Sequence, residues 1–143
     1  MNLAVWVERN GRLHSGRPAL AVGDNVHADW NSFAARVAAV AGGLRDRFAV
    51  NPGDRVAIVM RNRPEYLVAL FAIWHAGSVA VPVNARQHRD DIAFIAEQSW
   101  SRVDIADDDH EDDVSSLVDS VETLEACVVA PSAHWNELAP YPP

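Results

Sequence analysis

Lysine is absent from this sequence, and its absence excludes several kinds of site. All 12 basic residues among the 143 are arginine. The chain therefore offers no lysine for a P-loop phosphate site, a Schiff base or a phospho-receiver switch. The seven glycines never stand two positions apart, which excludes the usual G-x-G-x-x-G fingerprint of dinucleotide-binding domains.

Cysteine is almost as scarce. Cys127 is the only one, so these residues contain no internal disulfide and no cysteine-rich metal site. Its neighbours Ala126, Val128 and Val129 are apolar. This setting is typical of a buried thiol in a strand and does not favour a nucleophile, which needs an electropositive, accessible environment.

No segment has the composition of a membrane anchor or a leader. The first residues, MNLAVWVERNG, lack both a basic region and a long apolar region, so we predict no signal peptide. Residues 66–83 carry no formal charge, but His75, Gly77 and Pro82 interrupt them. A spanning helix needs about 20 apolar residues. We therefore predict a helix and a strand here, no membrane span, and a cytoplasmic protein.

Negative charge is in excess and unevenly distributed. The net charge is −8, and ten of the 20 acidic residues lie between Asp104 and Glu125. Nucleic acids and anionic membranes require a basic surface, so we expect neither as a partner. The run Asp107–Asp113 is the one cluster with metal-ligand residue types, but Asp112 stands where a calcium loop needs glycine. We predict a solvated loop there and no metal site.

The first half of the chain predicts a hairpin followed by a helix. Residues 18–22 and 26–28 flank Gly23-Asp24-Asn25, which tolerates a tight turn. Asp29 is expected to cap a helix over 30–48, with Arg36 on its outer side. Gly42 and Gly43 inside this helix indicate a close helix–strand approach.

Alternating buried strands and helices are predicted from residue 51 onward. A turn at 51–54 leads into an apolar strand at 56–60, a helix that begins at Pro64, and a strand at 79–83. Leu67, Leu70, Phe71 and Trp74 form one stripe of that helix, which we expect to be buried nearly all round and to end at Gly77.

The same alternation continues to residue 130. We predict a helix over 90–99, a strand over 103–106, a helix whose stripe runs from Val114 to Val121, and a strand over 126–130. The fold class is thus α/β: an open, mostly parallel sheet with helices on both faces, plus a small N-terminal hairpin. Residues 1–130 would form one subdomain, and 131–143 a proline-rich extended tail or a truncated end.

The order and spacing of these segments resemble the N-terminal part of the adenylate-forming superfamily, which includes acyl-CoA synthetases, peptide-synthetase adenylation domains and luciferases. The segment NPGDRVA (51–57) is similar to the family's K-P-G-D-R-V-A, and NRPEY (62–66) to N-x-P-E-[FY]. ALFAIWHAGSVAVPVN (69–84) resembles the A-G-x-[VA]-x-V-P region, and IAFIAEQSWSRV (92–103) resembles L-x-x-x-L-x-x-S-x-x-[KR]-[VI]. One departure is Trp100, which stands where the family often has glycine.

The resemblance implies a two-step reaction for a full-length protein. A carboxylate attacks the α-phosphate of Mg·ATP to give an acyl-adenylate, and the thiol of CoA then displaces AMP. The family uses a Ser/Thr/Gly-rich phosphate loop, a Y-G-x-T-E segment, a ribose-binding aspartate and a C-terminal lysine, none of which occurs here. We therefore expect this chain to be a partial N-terminal subdomain of an ATP-dependent acyl-CoA (fatty or aryl acid) ligase, to contain no catalytic residue, to bind no cofactor and to be inactive alone.

One residue is a candidate for ligand binding by this resemblance. Asn84-Ala85-Arg86 resembles the N-P-R of some acyl-CoA and aryl-CoA ligases. Arginine binds phosphate through a bidentate, permanently charged guanidinium, which suits the 3′-phosphate of CoA. The competing interpretation makes Arg86 a solvated loop residue or an ion pair with Asp90.

Two partners and one alternative function complete the expectations. The remainder of the synthetase chain is the expected partner, and an exposed sheet edge would otherwise favour self-association. The alternative is a free-standing, non-catalytic α/β binding or interaction module.

Overall fold

Helices and strands alternate along most of the molecule. The structure, a computed structural model, describes residues 1–138. In chain order, its elements are α1 (Ala4–Leu13), β1 (Pro18–Val22), β2 (Asn25–Asp29), α2 (Trp30–Phe48), β3 (Arg55–Val59), α3 (Pro64–His75), β4 (Val79–Val83), α4 (Arg89–Ser99), β5 (Ser101–Ala106), a 3-10 turn (Asp108–His110), α5 (Glu111–Ser115), β6 (Ala126–Val129) and α6 (Ala133–Leu138).

Four of the strands form one parallel sheet in the order β4-β3-β5-β6. Val59 of β3 lies beside Val83 of β4 and Ala106 of β5, so the carboxyl ends of these strands meet at one edge. The strands β1 and β2 pair antiparallel as a separate hairpin. The predicted α/β class, with its mostly parallel sheet and small N-terminal hairpin, is confirmed.

Helices cover both faces of the sheet because alternate residues of each strand point in opposite directions. Val56 and Ile58 of β3 belong to the core shared with α2 and α3. Ala57 and Val59 belong to a second core, which includes Ile92 of α4. Apolar runs in the parallel strands are thus explained by burial on two sides.

The long helix α2 begins as predicted but differs in two details. Asp29 caps it, accepting a hydrogen bond from the Ser32 N–H at 2.7 Å. Arg36, expected on the outer side, is buried. It lies three residues after Phe33, on the apolar stripe itself, where its long aliphatic stem can pack. A Cβ at Gly43 would lie 2.3 Å from Leu138, so the close approach there is to α6 and not to a strand, and Gly42 faces open space.

The prediction that α3 is buried nearly all round is wrong. Its core face consists of Val68, Ala69, Ala72 and Ile73. The stripe that contains Leu67 lies toward the surface, and Leu67 itself is exposed. The helix is apolar on every side, so its periodicity could not identify which side the sheet covers. Gly77 ends the helix as expected, at a φ of +82°.

Two helices at the chain ends were not anticipated. The helix α1 places Ala4, Val7 and Gly11 on one buried face. A Cβ at Gly11 would lie 2.8 Å from the Ala34 Cβ, so this glycine allows α1 to approach α2 closely. At the other end α6 replaces the expected extended tail up to Leu138, with Trp135 buried. Residues 139–143 of the predicted tail lie outside the described residues, and the domain boundary at residue 130 stays a prediction.

The helix predicted from the Val114–Val121 stripe is shorter than its pattern. Helix α5 ends at Ser115, and turns carry the chain to β6. Val114, Leu117 and Val121 are nevertheless buried in the second core. Apolar side chains at helical spacing were thus correctly assigned to the core, although the backbone between them is irregular.

Candidate functional site

An open cleft of about 940 Å³ lies at the carboxyl ends of β3 and β4. In open parallel sheets, ligands bind outside this edge because the loops that leave the strands converge there. The cleft has a mixed polar and apolar lining, formed by Met60, Arg61, Asn62, Tyr66, Pro82, Val83, Asn84, Ala85 and Arg86.

A buried carboxylate joins the loops behind this cleft. Asp107 follows β5 and is fully buried. Its Oδ2 accepts a hydrogen bond from the backbone N–H of Arg61 at 2.8 Å, in the loop after β3. Its Oδ1 is hydrogen-bonded to Nδ1 of His110. The aspartate therefore fixes the start of one cleft wall to the end of the neighbouring strand.

The third loop is attached through the same histidine. Nε2 of His110 lies 2.6 Å from the carbonyl oxygen of Ala85, in the loop after β4. The chain Arg61–Asp107–His110–Ala85 thus connects three loops at the carboxyl edge of the sheet. We call this set the loop bridge.

The partners of His110 determine its protonation state. Both ring nitrogens face oxygen acceptors, and only the imidazolium has a proton on each nitrogen. Burial lowers the pKa of His110, but hydrogen bonds to the Asp107 carboxylate and the Ala85 carbonyl outweigh burial, so the pKa is raised above its ordinary value. The geometry and the direction of the shift both favour the charged ring.

Arg86 lies on the cleft wall next to the loop bridge. It is exposed, and its backbone N–H donates to Oδ1 of Asn84 at 2.9 Å. Within residues 1–138, Asp90 is paired with Arg89 at 3.6 Å and not with Arg86. The predicted ion pair of Arg86 with Asp90 is therefore not formed, whereas its roles as a solvated or phosphate-binding residue stay open.

The acidic run forms more contacts than a solvated loop, although five of its seven residues are exposed. Besides the buried Asp107, Asp108 lies 2.7 Å from Nη1 of Arg63 and Asp109 lies 3.0 Å from Nη1 of Arg61. The hydrogen bond from Arg63 lowers the pKa of Asp108. In the part of the chain that the structure describes, no group of three or more His, Cys, Asp or Glu side chains is placed to hold a metal ion.

Two further titratable groups lie opposite each other on β5 and β6, away from the cleft. Burial raises the pKa of the Asp104 carboxyl to about 7, and among the described residues neither of its oxygens has a hydrogen-bond partner. Burial likewise raises the pKa of Cys127 to about 11. The cysteine is therefore a protonated thiol at neutral pH, which does not favour a nucleophile, although it is only partly buried and not fully buried as predicted.

Of the site residues, the sequence identified Arg86 and missed Asp107 and His110. The motif DDDHEDD was considered for metal binding, but the bond from His110 to Ala85 spans 25 positions. The available signal was an aspartate directly after a buried strand, with a histidine three residues later. Over residues 1–138, none of the helices combines the length and apolar character needed to cross a bilayer.

Comparison with known proteins gives one family. The family model described as AMP-binding enzyme matches residues 7–141. A feruloyl-CoA synthase from Amycolatopsis sp is 35% identical over 115 residues, which cover 80% of this chain and 23% of the relative. The chain thus spans about a quarter of the length of this curated relative.

Solved structures show the same fold. A benzoate CoA ligase from Burkholderia xenovorans LB400 superimposes with a TM-score of 0.85 at 22% identity, over 97% of this chain and 28% of the ligase. An acetoacetyl-CoA synthetase from Streptomyces lividans gives 0.86 at 24% identity, over 100% of this chain and 25% of the synthetase. The described fold is therefore one part of a larger architecture in these proteins.

Proposed function

The chain belongs to the AMP-binding enzyme family, and on that premise we propose that it forms the N-terminal part of an ATP-dependent acyl-CoA ligase. In the complete reaction, a carboxylate oxygen attacks the α-phosphorus of ATP and pyrophosphate leaves. The thiol sulfur of CoA then attacks the acyl carbon, and AMP leaves. The acid is of the fatty or aryl class, since the relatives include a feruloyl-CoA synthase and a long-chain-fatty-acid–CoA ligase.

This segment contributes a scaffold and a cleft wall. The observation that carries the proposal is the cleft at the carboxyl ends of β3 and β4, with Arg86 exposed on its wall. None of the 143 residues is a lysine, and no phosphate loop is present. We therefore assign no catalytic residue here and expect the groups that act on ATP to be supplied by other parts of the ligase.

Magnesium accompanies ATP in this family, but the acidic run does not fit a magnesium site. Magnesium prefers free carboxylates together with several waters and phosphate oxygens. Asp107 instead contacts the backbone N–H of Arg61 and the ring of His110. Asp108 is paired with Arg63, and Asp109 with the guanidinium of Arg61. We derive no step through magnesium at these residues.

The first test measures pyrophosphate release by the purified chain. With ATP, magnesium and a panel of fatty and aryl acids, we expect release at the background rate. A matched sample of a complete ligase of this family serves as the positive control. Release above background that depends on the acid would contradict the assignment of the chemistry to other parts of the protein.

For Arg86 we propose a contact with the 3′-phosphate of CoA. A guanidinium on an exposed loop can reach phosphate without first breaking an internal ion pair, and charge-assisted hydrogen bonds are the stronger ones. In the complete ligase, Arg86→Ala should raise the KM for CoA about tenfold, which corresponds to about 1.4 kcal/mol. Adenylate formation should not change, because CoA enters only the second step.

Arg45→Ala is the matched control for this substitution. Arg45 is an exposed arginine in the last turn of α2, so the variant changes the net charge equally. A tenfold effect in both variants would indicate general electrostatic attraction of CoA. An unchanged KM in Arg86→Ala would remove the assignment.

We also propose that the remainder of the ligase covers an apolar groove between the hairpin and α3. Leu67 and Val22 line this groove, and both are exposed. Contiguous exposed apolar surface usually marks an interface. If sedimentation instead finds a monomer that unfolds cooperatively, the alternative of a free-standing interaction module gains support. A cytoplasmic location stays a prediction.

A further inference from the structure

The loop bridge ends one residue before the candidate phosphate ligand. His110 holds the carbonyl of Ala85, and Arg86 follows directly. The loop itself is a tight local turn, because Asn84 accepts hydrogen bonds from the backbone N–H of Arg86 at 2.9 Å and of Gln87 at 3.0 Å. Ala85 and Arg86 are covalent neighbours within this turn, so a displacement of Ala85 would displace Arg86 as well.

The other end of the bridge is firmly anchored. Asp107 is fully buried, is bonded to the backbone of Arg61, and donates its own N–H to the Val59 carbonyl at 3.2 Å. Its position is therefore set by the sheet. The buried His110 connects this fixed aspartate to the loop after β4.

Loss of one proton from His110 would break one specific bond. The neutral ring keeps its single N–H toward the better acceptor, and a carboxylate accepts more strongly than a carbonyl. Nδ1–H would remain on Asp107, and the lone pair of Nε2 would then face the oxygen of Ala85. Two lone pairs repel each other at 2.6 Å, so the loop would leave the bridge.

We propose that His110 is a positioning residue, which in its doubly protonated form holds the Asn84–Gln87 turn and thereby places Arg86 for phosphate binding. This inference rests on the proposed role of Arg86 and adds the residue that regulates it. Three groups face the ring. They are the Asp107 carboxylate after β5, the Ala85 carbonyl after β4, and the Arg61 guanidinium after β3, whose charge opposes protonation and is balanced by Asp109.

The direction of the pH effect follows from the raised pKa of His110. Below the ordinary pKa of histidine, about 6.5, the ring is charged in both folded and unfolded chains, and the full bridge is present. As pH rises through the folded-state pKa, the proton is lost and the contact with Ala85 goes with it. Order in the turn and phosphate affinity at Arg86 should therefore fall together as pH rises through the folded-state pKa of His110.

The test follows the 143-residue chain by NMR across the titration. The ring nitrogens of His110 report its protonation, and the amide order parameters of Arg86 and Gln87 report the mobility of the turn. We expect order parameters of about 0.85 at low pH and below about 0.6 at high pH, and this change should have the same midpoint as the ring titration. Adenosine 3′,5′-bisphosphate, added as a probe, should bind about fivefold more weakly at high pH by the same mechanism.

Two variants separate positioning from simple charge. His110→Gln has an amide that can still donate a hydrogen bond but does not titrate. The change of the order parameters with pH should therefore disappear, and so should the part of the pH dependence of probe affinity that comes from the ring. Any residual pH effect then comes from the phosphate of the probe, whose second pKa is about 6. His14→Gln makes the same change at an exposed histidine after α1 and should behave like the unsubstituted chain.

The outcomes distinguish this inference from the proposed function. Rigid Arg86 and Gln87 amides throughout the His110 titration would overturn the positioning role, whatever the probe does. If the amides respond but Arg86→Ala binds the probe as well as the unsubstituted chain, the positioning role stands and the phosphate contact of Arg86 fails. The measurement on the unsubstituted chain needs no variant to fold.

Discussion

The two ends of the sheet are held together by different kinds of charged side chain. At the amino end, Arg102 donates to Asp54 at 2.6 Å, to Glu125 at 2.7 and 3.0 Å, and to the carbonyl of Ala49 at 2.9 Å. At the carboxyl end, His110 connects Asp107 to Ala85. Each side chain joins loops that are distant in sequence, but only the histidine titrates near neutral pH.

This difference indicates which end is suited to function. Hydrogen bonds to Glu125 and Asp54 raise the pKa of Arg102 further, so the amino end keeps its charge at every physiological pH. The carboxyl end carries the cleft, and its connection depends on a proton. The charged hydrogen bonds of Arg102 hold the amino end at every physiological pH, while the loops at the carboxyl end can become more or less mobile.

The largest expected effect concerns Asp104, which lies in β5 between the two ends. Burial raises the pKa of its carboxyl from 3.8 to about 7. The folded protein then holds a proton that the unfolded chain releases, so stability falls as pH rises from about 4 to about 7 and is constant above that. Asp104→Asn should remove this loss, with a gain of up to about 4 kcal/mol at about pH 8 relative to about pH 4.

Urea unfolding of both proteins at the two pH values measures this gain. Asparagine has the shape of the protonated acid, so the proteins should differ least at the acid end. If the difference in unfolding free energy between the two proteins were the same at both pH values, Asp104 would be ionised in the folded protein. With the contribution of Asp104 removed, the smaller pH dependence that comes from the loss of the His110 proton is easier to measure.

The next effect tests whether the Arg102 hydrogen bonds at the amino end contribute equally to stability at different pH values. Arg102→Gln should lower the free energy of unfolding by about 2 kcal/mol, since several charge-assisted hydrogen bonds are lost but Glu125 is largely exposed to water. The loss should be the same at about pH 6 and about pH 9, because Arg102 stays charged at both pH values. Thermal melts at both pH values check it, and a loss that changed with pH would break the contrast with His110.

The sequence predicted the middle of the fold well because its signals there are local. Pro64 at the start of α3, Gly77 at its end and the apolar run of β3 each specify one element without reference to the rest of the chain. The ends of the chain were harder. Helices α1 and α6 are short, and each becomes stable by packing on α2, through Gly11 and Gly43.

The candidate site was predictable only in part, for a related reason. Arg86 belongs to a short local motif and could be identified by resemblance. The loop bridge depends on the register between β3, β4 and β5, which brings residues 61, 85 and 107 together. The local sequence around His110 shows a histidine three residues after an aspartate that follows a buried strand, but it does not show that the ring reaches Ala85, 25 positions earlier in the chain.

The smallest effect concerns backbone strain at the amino end. Helices α2, α3 and α4 each end in a left-handed residue before the next strand, and these are Ala49 (φ 50°), Gly77 (φ 82°) and Trp100 (φ 57°). A left-handed conformation costs a residue with a Cβ roughly 1–2 kcal/mol, whereas glycine adopts it freely. The family often has glycine at the position of Trp100, and the φ explains that preference.

Trp100→Gly should therefore stabilise the protein, by up to about 1 kcal/mol after the larger unfolded-state entropy of glycine is included. Trp100 is 65% exposed, so little packing is lost. Gly77→Ala is the converse control: its Cβ would lie 3.4 Å from Pro52, an ordinary contact, and only the left-handed φ would oppose it. Chemical denaturation should show a gain for the first variant and a loss of about 1 kcal/mol for the second. A loss in Trp100→Gly would mean that the indole makes a contribution larger than the strain, and that the amino end depends on more than Arg102 and the helix termini.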